Sequence, residues 1–174
     1  MRGINYKSHL YENQYSRGTQ CVFISHKKED SAAAKQIADY LMNAGVNVYF
    51  DEYDNTLDLT NPHSVVNSIK NGLNHSTHLL VLLSPNALLS KWVPWEVGYA
   101  YDLKKIISLT LKTVAEHELP EYLKITRIIK GITSLNQFLS ELTGFPEPYL
   151  IRESRLFSAT MDRHPLDDVL VWNK

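Results

Sequence analysis

The segment that most restricts the fold is Thr77-His78-Leu79-Leu80-Val81-Leu82-Leu83-Ser84. Successive side chains of a strand point to opposite faces, so an unbroken apolar run must be covered on both. That is the situation of a central strand in a parallel sheet flanked by helices. The preceding patterns agree. Cys21-Val22-Phe23-Ile24-Ser25 is short, apolar and β-branched, which reads as a buried strand. After the polar stretch His26–Asp30, either Asp30 or Ser31 can cap a helix reaching about Ala44. Its Ala34, Ile37, Ala38 and Leu41 recur at helical spacing, and Gly45 is a C-terminal stop.

Val46–Asp51 reads as a second strand whose looser alternation places it nearer the sheet edge. The polar, acidic stretch Glu52–Asn61 is long for a strand-to-helix connection, and such loops are often functional. Pro62 can open the next helix, with Val65, Val66, Ile69 and Leu73 on its buried face. Pro85-Asn86 breaks the third strand, and a helix is expected from about Ser90 to Leu103. Lys105–Leu111 reads as a fourth strand and Ile125–Ile129 as a fifth. Leu135, Phe138, Leu139 and Leu142 mark a last helix, stopped by Gly144 and Pro146.

Alternating strands and helices imply a parallel sheet with right-handed crossovers. The expected fold is α/β: a flavodoxin-like three-layer sandwich around a parallel five-stranded sheet of order 2-1-3-4-5. The 174 residues suit one domain. The expected division is an N-terminal extension over 1–19, the domain over 20–144, and a tail over 145–174 packing on it or extending from it.

Bulk chemistry excludes several classes. Hydrophobic residues at 44% and charged residues at 21% describe a globular rather than a disordered chain. A net charge of -1, with no basic run longer than Lys27-Lys28 or Lys104-Lys105, argues against nucleic acid as a partner. A single cysteine, Cys21, cannot form an internal disulfide. The first 20 residues lack the apolar core of a secretory signal, and apolar runs such as Leu79–Leu83 fall far short of the roughly 20 residues that span a bilayer. No membrane association and a cytoplasmic location are expected.

In open sheets of this order, ligands bind beyond the carboxyl ends of the strands, where the order reverses. That point lies between the first and third strands. Ser25 and His26 emerge on one side, and Ser84, Pro85 and Asn86 on the other. The next segment, Ser90-Lys91-Trp92-Val93-Pro94-Trp95-Glu96, puts Trp92 and Glu96 four residues apart, on one face of a helix. A carboxylate near indole rings in a crevice is poorly solvated, which raises its pKa and strengthens its bonds to a ligand. The same spacing also fits a core anchor beside a solvated face.

In their order along the chain, Val22-Phe23-Ile24-Ser25-His26 with Glu29-Asp30, Val46–Asp51, Leu83-Ser84-Pro85 and Ser90-x-Trp92-x-x-x-Glu96 resemble the Toll/interleukin-1 receptor (TIR) domain family over about residues 20–142. The closest flavour is the NAD-cleaving group of bacterial and plant-like TIR domains. The resemblance implies that Glu96 is catalytic and that Ser25, His26, Asp51, Ser84 and Trp92 line the substrate site. It implies NAD as substrate with no separate cofactor, and an NAD+ nucleosidase or ADP-ribosyl cyclase that produces an ADP-ribose-derived signal in bacterial defence. It implies self-association through TIR surfaces and control by a separate effector or sensor protein. The stretch Glu52–Asn61 matches the family's BB loop, but carries Glu52, Asp54 and Asp58 and no arginine, which bears on phosphate contact. The rival readings are a TIR scaffold without turnover and a flavodoxin-like receiver. The receiver lacks its acidic pair, having Ser25-His26 at the end of the first strand.

The remaining candidates point to structure. His75-x-x-His78 straddles a helix-to-strand junction with no third ligand nearby, so no metal is expected. Cys21 reads as packing. The turn Ser25-His26-Lys27-Lys28 is not a glycine-rich phosphate loop. His164-Pro165 and Asp167-Asp168 read as solvated surface. Tyr6, Tyr11 and Tyr15 either pack on the domain or form an assembly surface.

Overall fold

The structure is a computed structural model that describes residues 1–6, 20–50, 61–112 and 114–171. Five parallel strands form one sheet: β1 (Cys21–Ser25), β2 (Asn47–Tyr49), β3 (His78–Leu83), β4 (Lys105–Thr110) and β5 (Arg127–Lys130). Their order is β2-β1-β3-β4-β5. Around them lie α1 (Ser31–Ala44), α2 (Pro62–Asn74), α3 (Pro85–Leu88), α4 (Trp92–Ala100), α5 (Glu121–Lys124), α6 (Gly131–Thr143) and α7 (Glu147–Arg152). The flavodoxin-like fold and strand order expected from the sequence are the observed ones.

The pleat divides the core in two. Val22, Ile24, Leu80, Leu82, Ile107 and Leu109 pack on one side with the apolar faces of α1 and α6. Cys21, Phe23, Leu79, Val81 and Leu83 pack on the other with Leu73 of α2 and Val93 and Val97 of α4. Every residue of β3 is buried, as its two-sided apolar pattern requires. Helix α1 ends at Gly45, whose φ of 94° is the left-handed conformation that glycine adopts without strain.

Several elements differ from their expected form. Of the described part of the expected Val46–Asp51, β2 keeps Asn47–Tyr49, and Phe50 N–H donates to the Asn5 side chain (3.1 Å) instead of continuing the ladder. Its outer edge is covered by the chain's own start. Val48 N–H donates to Ile4 O (2.9 Å), Tyr6 N–H donates to Val48 O (2.8 Å), and Asn5 bridges Val48 in parallel. Tyr6 is buried, while Tyr11 and Tyr15 lie outside the described residues. On α2, Leu73 is buried but Val65, Val66 and Ile69 are half-buried. That helix meets the sheet at its C-terminal end, where a side chain at Gly72 would strike the Phe23 ring (2.4 Å) and the Tyr49 ring (2.6 Å). The helix expected over Ser90–Leu103 is the shorter α4, and a separate one-turn helix, α3, forms at Pro85–Leu88, where the sequence reads only as a break.

Helix α6 is followed by α7, and the aperiodic tail joins the core through Leu150, Leu156, Leu166 and Leu170. His164 is buried rather than solvated. Leu166 N–H donates to its Nδ1 (3.1 Å), which leaves Nε2 as the N–H that faces Tyr40 Oη at 3.2 Å. Asn136 completes the cluster. It accepts from Tyr40 Oη (2.7 Å) and donates to Glu147 Oε1 (2.8 Å) and Phe157 O (2.9 Å). Asp168 is exposed, as expected. His78 is buried at the start of β3, its ring edge-on to Phe138 at 6.1 Å. Cys21 is fully buried, and that burial pushes its thiol pKa up to about 12, so it packs as an apolar side chain. Among the described residues there is no cluster of three or more metal-ligating side chains, and no helix is long and apolar enough to cross a membrane.

Candidate functional site

Ser25 is the last residue of β1, and Glu96 lies in the middle of α4. They are 71 positions apart, yet Ser25 Oγ donates to Glu96 Oε2. The helix that carries Glu96 starts just after Ser90, whose Oγ accepts from Trp92 N–H (3.2 Å) and Val93 N–H (3.3 Å) and so satisfies two free donors of the first turn. Pro94 falls in the first turn, where a missing N–H costs nothing. The buried Val93, Val97 and Ala100 turn that helix so that Glu96 faces the sheet.

Glu96 is only 8% exposed. Burial penalises its charged form and raises its pKa above the ordinary carboxylate value, while the Ser25 hydroxyl opposes that shift by bonding the anion. Among the described residues no cation pairs with it. The site therefore holds a carboxylate short of solvation and short of counter-charge, at the switch point of the sheet. A ligand that brings positive charge there would be attracted strongly, because little water competes.

The other expected site residues divide. His26 leaves β1 half-buried, with its ring 5.1 Å from Phe50 and tilted against it by 43°, so a pair of rings lies beside Ser25. Ser84 follows β3 directly at the facing wall, but its hydroxyl is buried and engaged. It donates to Asp30 Oδ2 (2.5 Å) and accepts from Ala87 N–H (2.9 Å), capping α3. Trp92 is 36% exposed, and its ring contact is edge-on with Trp95 at 6.2 Å. Trp95 in turn stacks on Tyr99 at 5.4 Å, and Lys70 Nζ lies 5.6 Å from the centre of the Tyr99 ring. Glu96 is thus buried against the sheet, while the indole pair lies beside it at the more exposed start of α4. Asp51 lies outside the described residues.

Sequence reasoning missed the role of Asp30. It stands at the N-terminal end of α1 but makes no side-chain cap there. Its carboxylate instead reaches Ser84, and its Oδ1 also accepts from Asn86 Nδ2 (3.2 Å). No local signal distinguishes these uses of an aspartate, because its partners lie 54 and 56 positions away.

Comparison with known proteins agrees with this architecture. The family model described as "TIR domain" matches residues 22–140, and the chain belongs to the TIR-domain family. Over 106 residues it is 32% identical to the NAD(+) hydrolase TcpC of Escherichia coli O6:H1 (strain CFT073). That alignment covers 58% of this chain and 33% of TcpC, so the chain spans about a third of the length of that curated relative. The crystal structure of the TIR domain of the Toll-related receptor TRR-2 from Hydra magnipapillata superposes with a TM-score of 0.50 at 17% identity. The match covers 77% of this chain and 97% of that one, and it concerns the fold alone.

Proposed function

We propose that this chain cleaves the bond between nicotinamide and ribose in NAD, with Glu96 as the catalytic residue. The observation that carries the reading is the buried Glu96 carboxylate, held by Ser25 at the switch point with no cation beside it among the described residues. The named activity of TcpC supports the choice of substrate.

The chemistry suits one carboxylate. The C1′–N bond breaks and its electron pair passes to the pyridinium nitrogen, so nicotinamide leaves neutral and needs no general acid. Positive charge develops on C1′ and the ring oxygen of the ribose, as in glycoside hydrolysis. In its ionised form Glu96, in a poorly hydrated setting, stabilises that charge and accepts from ribose hydroxyls. Water then adds to C1′ and releases a proton, giving ADP-ribose; attack by an atom of the adenine gives a cyclic isomer instead. Ser25 orients Glu96 and favours its ionised form against the effect of burial. His26 and Trp92 offer ring surfaces to the bases, Asp51 belongs to the same substrate site, and Ser84 forms its wall.

We further propose a cytoplasmic protein that assembles through its TIR surfaces, answers to a separate effector or sensor, and makes its product as a signal in bacterial defence. No resident cofactor or metal enters the scheme. A non-catalytic scaffold is the rival reading, and it has no use for a buried carboxylate at position 96. Incubation of the assembled protein with NAD, followed by mass identification of products, tests the reading. Nicotinamide with ADP-ribose or a cyclic isomer is expected; intact NAD would refute it.

A further inference from the structure

The segment that carries Glu96 is gripped from the β1 side at two points. The first is the direct bond from Ser25. The second starts at Asp30 and runs through consecutive hydrogen bonds. Asp30 Oδ2 accepts from Ser84 Oγ (2.5 Å), and Ser84 Oγ accepts from Ala87 N–H (2.9 Å) at the start of α3. Ala87 O accepts from Ser90 N–H (3.0 Å), and Ser90 Oγ accepts from Trp92 and Val93 N–H in the first turn of α4. Asn86 adds a parallel tie to Asp30 Oδ1 (3.2 Å). Each link joins a neighbour already held, so the chain reaches from the end of the β1 loop to one turn before Glu96.

We propose that Asp30 is a positioning residue, which through Ser84 and Asn86 sets the place of α3 and α4 against β1 and so aligns Glu96 with the ribose. The inference rests on the catalytic reading of Glu96. Both carboxylate oxygens of Asp30 are used across the crevice and neither caps α1, so capping alone does not account for an aspartate here. Misplacing a reacting group by about 1 Å can cost on the order of 10²-fold in rate. Ser84, buried and committed to Asp30 and Ala87, acts in this scheme by holding the wall rather than by leaving it to touch substrate.

The test compares Asp30→Ala and Asp30→Asn in the full chain. In Asp30→Ala, kcat for nicotinamide release is expected to fall at least tenfold while KM for NAD stays within about threefold. Asn keeps an acceptor for Ser84 and restores kcat to within about threefold. Hydrogen–deuterium exchange supplies a readout that does not depend on turnover. In Asp30→Ala the amides from Ala87 to Glu96 exchange at least tenfold faster, while those of Leu79–Leu82 are unchanged. Unchanged exchange over 87–96 would overturn the tie itself. Faster exchange with kcat within twofold of the parent would overturn the positioning role. So would equal loss of kcat in Ala and Asn. If the parent protein releases no nicotinamide, the catalytic reading of Glu96 falls and the positioning role falls with it, while the exchange data still judge the tie.

Discussion

Two buried polar clusters sit on opposite faces of the sheet, and they are built on different terms. Around Asn136, each donor meets an acceptor. Tyr40 donates to Asn136, Asn136 donates to Glu147 and to Phe157 O, and Leu166 N–H donates to His164. At Glu96, a carboxylate of higher charge density has one hydroxyl, that of Ser25, as its hydrogen-bond partner among the described residues. A fully satisfied cluster rigidifies a core, whereas an undersupplied charge is a standing cost that only function explains. The contrast separates a residue set that holds the fold from one that stores a demand for positive charge.

The strongest break of that contrast is at Glu96. Glu96→Gln is expected to lower nicotinamide release by at least about 10³-fold, the scale lost with a principal electrostatic group. The same change should leave the fold more stable near pH 7.5. The sign follows from the raised pKa. Folding favours the protonated carboxyl, so its contribution is fully present below the unfolded value and is lost as pH rises through the folded one. Gln mimics the protonated form at all pH values, so its advantage in thermal unfolding should be seen at pH 7.5 and vanish near pH 4. A variant that is both inactive and less stable would place Glu96 among structural groups.

Asn136→Ala should do the reverse. It strands Tyr40, Glu147 and the Phe157 carbonyl, at a cost of about 2–4 kcal/mol in urea unfolding. Turnover per folded molecule should stay within twofold. A large loss of turnover at full folding would erase the distinction between the clusters.

Acid offers a third lever. His78 is held neutral by burial, with Lys105 and Lys104 adding to the effect, and its pKa is pushed down from 6.5 to about 4. His164 is lowered too, chiefly by burial. The unfolded chain therefore binds more protons than the folded one below pH 6.5, and stability falls as pH drops from there toward about 4. For His78 the full loss is on the order of 3 kcal/mol. The Glu96→Gln background exposes it cleanly, because Glu96 titrates with the opposite sign. His78→Gln should flatten the slope measured by denaturation between pH 4 and 7.

The smallest effect belongs to Trp92. Partly exposed and edge-on to Trp95, it should cost under about 1 kcal/mol when truncated to alanine. KM for NAD should rise severalfold if its ring meets a base of the substrate; an unchanged KM removes it from the site.

The sheet was legible because β3 has no polar face, and that one pattern dictates helices on both sides. Glu96 was legible as a candidate because the strand order locates the crevice and helical spacing brings α4 into it. What escaped were interactions between residues remote in sequence. Phe50 looked like strand, but Asn5, 45 positions earlier, takes its N–H. His164 looked solvated because the tail has no period, but in the fold the rings of Tyr40 and Phe157 pack against it. Asp30 had the composition of a helix cap, and only the folded chain shows it spanning the crevice.

The opening residues, laid against β2, have a consequence for polymer growth. An open sheet offers two rims on which another chain could add a strand. One rim is already taken by Ile4, Asn5 and Tyr6. The other is β5, four residues long with Arg127 and Lys130 along it, and such short, basic rims resist backbone pairing. Copies of this protein are thus steered away from fibre-like stacking of sheets, and any ordered filament they build must be joined through side chains of helices and loops.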